Sequence, residues 1–371
     1  MYRYVRTLLE LLVRVSLCDI KINTVRYGTR VRNRYCTEQK NITIIDRIML
    51  EEGMMEVETK GNNNDQELLP MKKQGGVGRL TVEKRAWDGS IVASELYSSY
   101  PMKLLIPSQP NNNADDKKVA LSCFVVGYGG GCVSGDSYEL NIHVKDHASC
   151  LVTSQSTTKV FKTSSSTTNN GTPSSVTTNA RVGANGLLVL VPQPMQCFAQ
   201  SQIHQFTNID LSNHHSSSLL FVDWYTGGRC CGDEESLWEL SSYWNTTTIT
   251  SNGDAILRDA LRLSSSVSQD STALQQHVRQ YPIITTVILI GPRVESIAKS
   301  LLQHYSHRTD YHNQNKSNIK EEQSNYIISC GKFPTTSTQQ QGVIFRMAAT
   351  SLELTGKYYI LSIYNFYLHI S

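Results

Sequence analysis

The stretch that decides the fold is GYGGGCVSGDSYELNIHVKDHASCLVTSQSTTKVFK, residues 127–162. Its first nine residues include five glycines, which adopt backbone angles closed to other residues, so they predict a tight turn that Asp136 closes. From Tyr138 to Lys145 apolar and polar residues alternate strictly, which is typical of a half-buried strand. A second extended run, 148–162, is rich in Thr, Ser and Val. The stretch therefore predicts turn, strand, turn and strand.

Short β-type runs lie on both sides of this stretch. Residues 78–107 break into three such runs, and residues 119–126 form a nearly continuous apolar run that leads into the glycine turn, as a buried strand would. Further strands are predicted at 187–191, 219–225, 239–249 and 283–290. Helical spacing of apolar residues is found only in Asp254–Leu263 and Arg293–His307. The sequence predicts a mainly β chain with two or three short helices late in the chain.

Polar tracts divide the chain. Residues 1–75 lack sustained periodicity and end in GNNNDQ and MKKQGG, so we predict a poorly ordered basic extension there. The tract 163–179 is rich in Ser, Thr and Asn and is predicted to be a solvated insertion in a β domain that spans 76–351. Residues 352–371 form an atypical tail that is apolar and aromatic without helical period.

Length and composition place the chain among globular proteins, because 39% of its 371 residues are hydrophobic. The net charge is +3, but residues 1–40 hold nine Lys or Arg and three acidic residues, so the remainder is net negative. Positive charge confined to one arm argues against nucleic-acid binding. Nine cysteines without C-x-x-C spacing indicate free thiols in a reducing compartment, and no apolar window is long enough to span a membrane. We therefore expect a cytoplasmic protein.

Two acidic groups are candidates for chemistry. Asp136 lies beside Ser134 on the glycine turn, where an acid most often caps the turn; in a β-rich hydrolase it would instead be an acid or base. The second group surrounds Arg229 and comprises Asp223, Asp233, Glu234 and Glu235. A solvated loop is the simplest interpretation, although carboxylates at strand ends could also pass a divalent cation along by transient oxygen ligation. Neither a phosphate-binding loop nor a G-x-S-x-G elbow occurs.

Four motifs occur in a fixed order along the chain. They are GYGGGCVSGDSYELNIHV at 127–144, LVTSQSTTKVFK at 151–162, LVLVPQPMQCFAQSQIHQ at 188–205 and LLFVDWYTGGR at 219–229. Together with the segment from Gly78 onward and GVIFRMA at 342–348, they resemble the urease accessory protein UreD family, called UreH in some organisms.

This resemblance implies a non-enzymatic scaffold with a stacked, β-helix-like or sandwich-like fold. Proteins of the family bind apo-urease and a UreF-like accessory protein, which docks a UreG-like GTPase. The resemblance also implies that nickel passes through an internal polar tunnel, so Ni²⁺ is expected in transit and no tightly bound cofactor is expected. Mapped by motif, the path comprises Asp136, Thr158, Lys159 and an acid among Asp233, Glu234 and Glu235. Spaced oxygen ligands suit passage better than thiolates, which would trap the ion.

The chain departs from the family pattern at three places. The loop after Gly228–Arg229 is lengthened, so either Glu234 or Glu235 matches the family acid. At 243–246 the sequence YWNT lacks the arginine of the family's Tyr-x-Ser-Arg pattern. The tail at 352–371 replaces an amphipathic helix, which would impair the end that faces the UreF-like protein.

Three hypotheses therefore stand at this point. A maturation scaffold predicts a polar tunnel that links Asp136 to the 233–235 loop. A β-rich hydrolase predicts one enclosed pocket with a perturbed carboxyl group. A plain β scaffold predicts that Asp136→Ala leaves function intact.

Overall fold

The structure is a computed structural model that describes residues 75–107, 120–163, 171–213, 215–228, 237–264, 281–305, 326–334, 341–352 and 355. All of these residues belong to one compact unit. The predicted basic extension at 1–75 and the predicted tail at 352–371 lie almost wholly outside them. The assigned boundaries of those two segments therefore stay predictions.

The described residues form 18 strands, one α-helix and one 3₁₀ turn. The strands are β1 (Gly75–Lys84), β2 (Ile91–Ser98), β3 (Met102–Leu105), β4 (Leu121–Gly127), β5 (Gly131–Cys132), β6 (Ser137–Val144), β7 (Ser149–Ser154), β8 (Thr158–Val160), β9 (Ser174–Val182), β10 (Leu187–Leu190), β11 (Met195–Cys197), β12 (Gln202–Leu211), β13 (Ser218–Thr226), β14 (Ser242–Ser251), β15 (Asp254–Ser264), β16 (Ile283–Ile290), β17 (Tyr326–Pro334) and β18 (Gln341–Ala349). The helix α1 spans Glu295–Tyr305 and follows the 3₁₀ turn Pro292–Val294. Backbone at Leu352 and Thr355 is also helical.

Two sheets face each other. Sheet 1 has seven strands in the order β15-β14-β12-β9-β6-β1-β2. Sheet 2 has eleven, with the order β17-β18-β16-β13-β10-β7-β4-β3 and the short strands β5, β8 and β11 attached beside β13. From β6 to β14 the chain passes repeatedly between the sheets, and each new strand lies parallel to its predecessor in the same sheet. The predicted stacked, β-helix-like arrangement is thus confirmed.

The interior consists of apolar side chains from the inner faces of both sheets. One cluster, which includes Leu80, Ile209 and Phe221, fills most of the space between the sheets. A second lies between sheet 2 and α1 and includes Leu220, Ile297 and Phe345. Strand β13 is buried at all nine positions because both of its faces are covered.

The outer face of sheet 1 is largely polar. In-register parallel pairing places Asn141, Asn179 and Asn208 side by side on β6, β9 and β12. Asn179 Nδ2 donates to Asn141 Oδ1 (3.1 Å), and Asn208 Nδ2 donates to Asn179 Oδ1 (3.0 Å). This amide ladder fixes the register of the stacked coils, because a slip by one residue would turn every amide into the core.

Most predicted elements are found, but two predictions were wrong. Asp254–Leu263 is the edge strand β15, since its leucines at 257, 261 and 263 also fit a period of two and pair across to β14. The tract 163–179 is not wholly an insertion, because Ser174–Val182 forms the central strand β9, where β-branched residues fit the pleat. The helix predicted at Arg293–His307 is confirmed as α1.

The glycine turn provides a stability test. A Cβ at Gly131 would meet the Lys159 carbonyl oxygen and the Phe161 ring, whereas a Cβ at Gly127 would meet nothing within 4 Å. Gly131→Ala is expected to lower the free energy of unfolding by about 1–3 kcal/mol, because the chains of β5 and β8 must separate. Gly127→Ala, the matched control, is expected to change it by less than about 0.5 kcal/mol. Urea denaturation of both variants measures this, and equal stabilities would contradict the packing at β5.

Candidate functional site

A band of polar side chains crosses the apolar interior between the two sheets. A third apolar cluster lies at the glycine-turn end of the interior and includes Tyr225 of β13. Phe221 of the same strand belongs to the first cluster, and Asp223 lies between these two residues. Strand β14 repeats this change, because Asn245 and Thr247 separate Tyr243 from Ile249. We call the band the polar seam; it comprises Gln205, Thr207, Asp223, Asn245, Thr247, Asp259, Thr286 and Arg346.

The seam arises because neighbouring strands have polar residues at inward-facing positions that lie side by side across the sheet. In β12 the inward series runs Ile203, Gln205, Thr207 and Ile209. Parallel pairing then aligns Gln205 with Asn245 and Thr207 with Thr247. In sheet 2 the antiparallel pairing aligns Asp223 with Thr286, and Thr286 with Arg346. Register therefore turns separate polar positions into one continuous layer.

Asp223 lies at the centre of the seam and is only 5% exposed. Gln205 Nε2 donates to Asp223 Oδ1 at 3.1 Å, and Asn245 Nδ2 donates to Asp223 Oδ2. Gln205 is itself held in place, since Tyr243 Oη donates to its Oε1 at 3.3 Å and the Tyr243 ring stacks on Tyr225 with centroids 4.7 Å apart. The carboxyl group is thus fixed by side chains from the opposite sheet.

Burial raises the pKa of Asp223 from 3.8 to about 6. The hydrogen bonds from Asn245 and Gln205 act in the opposite direction, and the charge of Asp259 raises the pKa further. Burial prevails because two neutral amides replace only part of the hydration that a carboxylate has in water. Near neutral pH Asp223 is therefore a mostly ionised but poorly solvated carboxylate.

Besides the Asp223 carboxylate, the seam contains an amide oxygen for which the described part of the chain provides no hydrogen-bond partner. The Oδ1 atom of Asn245 is buried and accepts no hydrogen bond within the described residues. Buried acceptors are normally paired, so an orphan oxygen beside a carboxylate is a place where a cation would be stabilised. Carboxylate and amide oxygens are hard ligands of the kind that divalent cations accept.

The seam reaches the surface between β15, the edge strand of sheet 1, and β18, the second strand of sheet 2. There Arg346 Nη2 donates to Asp259 Oδ1 at 2.7 Å, with the two side chains 48% and 30% exposed. This ion pair joins the two sheets next to the buried Asp223. A route from solvent to Asp223 along the seam would therefore pass Asp259 and Arg346.

The other predicted path residues lie together at the glycine turn. Asp136 is 7% exposed, and its Oδ2 accepts a hydrogen bond from the Val133 backbone N–H at 2.9 Å, so it caps the turn as its local sequence favours. Ser134 Oγ donates to the Thr172 carbonyl at 2.9 Å. The structure brings Thr158 and Lys159 to the same corner, because Lys159 pairs with Gly131.

Short strands connect this corner to the end of β13. Strand β8 pairs with β11, and β11 pairs with Tyr225 and Thr226 of β13. The side chains along this route, among them Val160, Cys197 and Tyr225, are packed in an apolar cluster. Within the described ranges, the predicted residues thus lie in two places: Ser134, Asp136, Thr158 and Lys159 at the glycine turn, and Asp223 in the polar seam. Backbone pairing joins the two places.

Of the second predicted acidic group, the structure describes only Asp223. Asp223 is not part of a solvated loop, because it lies inside β13. Arg229, Asp233, Glu234 and Glu235 lie outside the described residues, so their predicted role stays a prediction.

Sequence reasoning missed Gln205, Asn245, Asp259 and Arg346. A signal for the first two existed, since each is a polar residue at an inward position of an alternating strand. Their convergence on Asp223 depends on register between strands.

The cysteines in the described part of the chain are free and buried: Cys123, Cys132, Cys150, Cys197 and Cys330. Burial, together with the neighbouring Asp136 carboxylate, raises the pKa of Cys132 to about 12. A thiol that stays protonated near neutral pH is a poor metal ligand. Within the described ranges, no three His, Cys, Asp or Glu side chains form a group that could hold a metal ion. In the same ranges no helix is long and apolar enough to cross a membrane.

The raised pKa of Asp223 predicts how stability depends on pH. A carboxyl group whose pKa is higher in the folded than in the unfolded protein stabilises the fold below pH 4, and this contribution is lost as pH rises through 6. Asp223→Asn is neutral at every pH, so from pH 4 to 7 wild type should lose about 3 kcal/mol of unfolding free energy relative to this variant. Urea denaturation across this pH range measures the difference.

An exposed acid provides the control for this measurement. Asp210 lies on the outer face of sheet 1 opposite Arg181, with its side chain 41% exposed. Asp210→Asn removes one carboxylate from the surface and leaves the polar seam unchanged. Parallel profiles for wild type and Asp223→Asn would show that Asp223 is not a desolvated acid.

Comparison with known proteins places this architecture in a family. Residues 74–360 match the family model described as UreD urease accessory protein. Urease accessory protein D of Arabidopsis thaliana is 28% identical over 302 residues, covering 78% of this chain and 93% of the relative. Urease accessory protein UreD of Sorangium cellulosum is 31% identical over 229 residues, covering 62% and 66%, and urease accessory protein 4 of Cryptococcus neoformans is 27% identical over 252 residues, covering 62% and 74%. The chain therefore belongs to the UreD family of urease accessory proteins.

Proposed function

We propose that this protein is a non-enzymatic scaffold that passes Ni²⁺ to apo-urease through the polar seam. It would act in the cytoplasm together with a UreF-like accessory protein and a UreG-like GTPase. The observation that carries the proposal is the buried pair of oxygen ligands in the seam, the Asp223 carboxylate and the orphan Asn245 Oδ1. Membership of a urease accessory family supplies the context.

The chemistry of the seam suits a cation in transit. A desolvated carboxylate is unfavourable by itself, so an arriving divalent cation relieves its burial cost. One carboxylate and one amide oxygen are too few ligands for a closed site, so the ion is free to leave. The Asp259–Arg346 ion pair lies where the seam meets solvent, so a passing cation would compete with the guanidinium for Asp259. Asp136 stays a predicted path residue, because an apolar cluster that includes Val160, Cys197 and Tyr225 lies between the glycine turn and the seam.

The hydrolase alternative has less support. It predicts an enclosed pocket lined by a perturbed carboxyl group. A cavity of about 570 Å³ in the described residues lies over the outer face of sheet 1, and neither Asp136 nor Asp223 lines it. Asp136 is engaged with the backbone of its own turn.

The proposal predicts that Asp223→Asn strongly reduces nickel delivery without unfolding the chain. In nickel-supplied cells that lack this gene, the variant should restore about tenfold less urease activity than wild type, or less still, because the amide removes the charge that attracts the cation. Nickel per urease, measured by mass spectrometry on the purified enzyme, should fall in parallel.

Asp210→Asn, the exposed acid on the outer face, is the matched control and should restore full activity. Immunoblots must show equal amounts of both variants. Full nickel loading of urease by Asp223→Asn would refute a role for the seam in nickel transfer.

A further inference from the structure

An aromatic cluster lies on the outer face of sheet 1, at the end where β12 and β14 begin. It consists of His204, Phe206 and Trp244, and we call it the aromatic patch. Trp244 is 42% exposed, with its ring centroid 5.3 Å from that of His204 and 6.4 Å from that of Phe206. Arg262 of β15 lies beside it, with Cζ 5.9 Å from the Trp244 centroid.

The position of the patch is unusual for a parallel sheet. The five strands β1, β6, β9, β12 and β14 are parallel, and parallel sheets usually have both faces covered. Over most of this outer face polar side chains, including the amide ladder, replace such a cover. At the aromatic patch they do not, so the exposed Trp244 ring faces solvent there beside the half-buried His204 and Phe206. Trp and Arg are also the residues that dominate binding energy at protein interfaces.

The charge around the patch indicates the chemistry of its partner. The exposed face of β15 presents Arg262 opposite Trp244 and Arg258 opposite Thr248. A complementary surface therefore needs an apolar centre for Trp244 and carboxylates at the rim for the two arginines.

The patch lies directly behind the polar seam. Gln205 sits between His204 and Phe206 on β12, and Asn245 follows Trp244 on β14, so the same strand segments present the patch outward and the seam inward. A partner bound to the patch would be one strand layer away from Asp223. Of the proposed partners, the one that takes up the nickel ion, apo-urease, is the one for which closeness to Asp223 matters most.

We propose that the aromatic patch is the surface on which apo-urease docks, through an apolar site rimmed by acidic side chains. This inference rests on the proposed function, since it assigns the receiving partner to one face of sheet 1. Docking at the patch would fix the positions of β12 and β14, which carry Gln205 and Asn245, while the cation leaves the seam.

The test measures binding of the full-length chain to purified apo-urease by biolayer interferometry without nickel. Trp244→Ala should weaken the affinity by about thirtyfold, as expected of a central aromatic anchor. Arg262→Glu, which keeps the three aromatic rings, should lower the association rate by about tenfold at low salt and less at high salt.

Trp87→Ala is the matched control. Trp87 is 79% exposed in the connection between β1 and β2, at the opposite edge of sheet 1, and its removal should leave affinity unchanged within about twofold. Asp223→Asn should also bind normally, because its side chain is buried. Loss of binding by the patch variants thus tests the docking surface, whereas loss of nickel transfer by Asp223→Asn tests the proposed function.

Two results would overturn the inference. One is wild-type affinity and association rate for both Trp244→Ala and Arg262→Glu. The other is a wild-type chain that forms dimers in light scattering, which Trp244→Ala abolishes while apo-urease binding persists; the patch would then be covered by a second copy of the chain.

Discussion

The hydrogen bonds between Asp223 and the amides of Gln205 and Asn245 are the constraint on which the interior depends. They are made across the sandwich, from β13 in one sheet to β12 and β14 in the other. A carboxylate buried without such donors would be too unfavourable to keep between two apolar clusters. The two donors therefore make it possible for this interior to contain a charge. They do not fully replace the water around the carboxylate, so the pKa of Asp223 remains raised, at about 6.

The stacked architecture explains how a continuous polar layer can arise. Because each strand between β6 and β14 is parallel to its predecessor in the same sheet and in register with it, a polar residue at one level of one coil lies beside the same level of the next. Sheet 1 uses this geometry twice. Its outer face carries the amide ladder, and its inner face carries the aligned pairs Gln205–Asn245 and Thr207–Thr247. The same strands thus provide the register that holds the fold and the polar groups that interrupt the core.

The sequence predicted the fold class and the individual strands because alternation and apolar runs are local signals. The run LLFVDWY gave β13, and it also contained the one charged residue, Asp223, inside an otherwise apolar strand. The helix predicted at Asp254–Leu263 failed because its leucines fit both periods, and only pairing with β14 decides between them. The motif resemblance led to the correct family. The local sequence of the glycine turn indicated that Asp136 caps it, and the structure shows this cap.

The composition of the seam was beyond local reasoning. Gln205 and Asn245 lie 18 and 22 residues from Asp223 along the chain, and Arg346 lies 87 residues from Asp259. No period or motif encodes which of many polar residues meet across two sheets. Such contacts follow from the register and from the packing of one sheet on the other, which depend on the whole chain.

Anomalous X-ray scattering at the nickel absorption edge tests the central claim most directly. Crystals of this protein bound to apo-urease would be soaked with nickel, for wild type and for Asp223→Asn. The account predicts a partially occupied nickel peak between the Asp223 carboxylate and Asn245 Oδ1 that is absent from the variant. Nickel peaks elsewhere in the chain with none in the wild-type seam would contradict it.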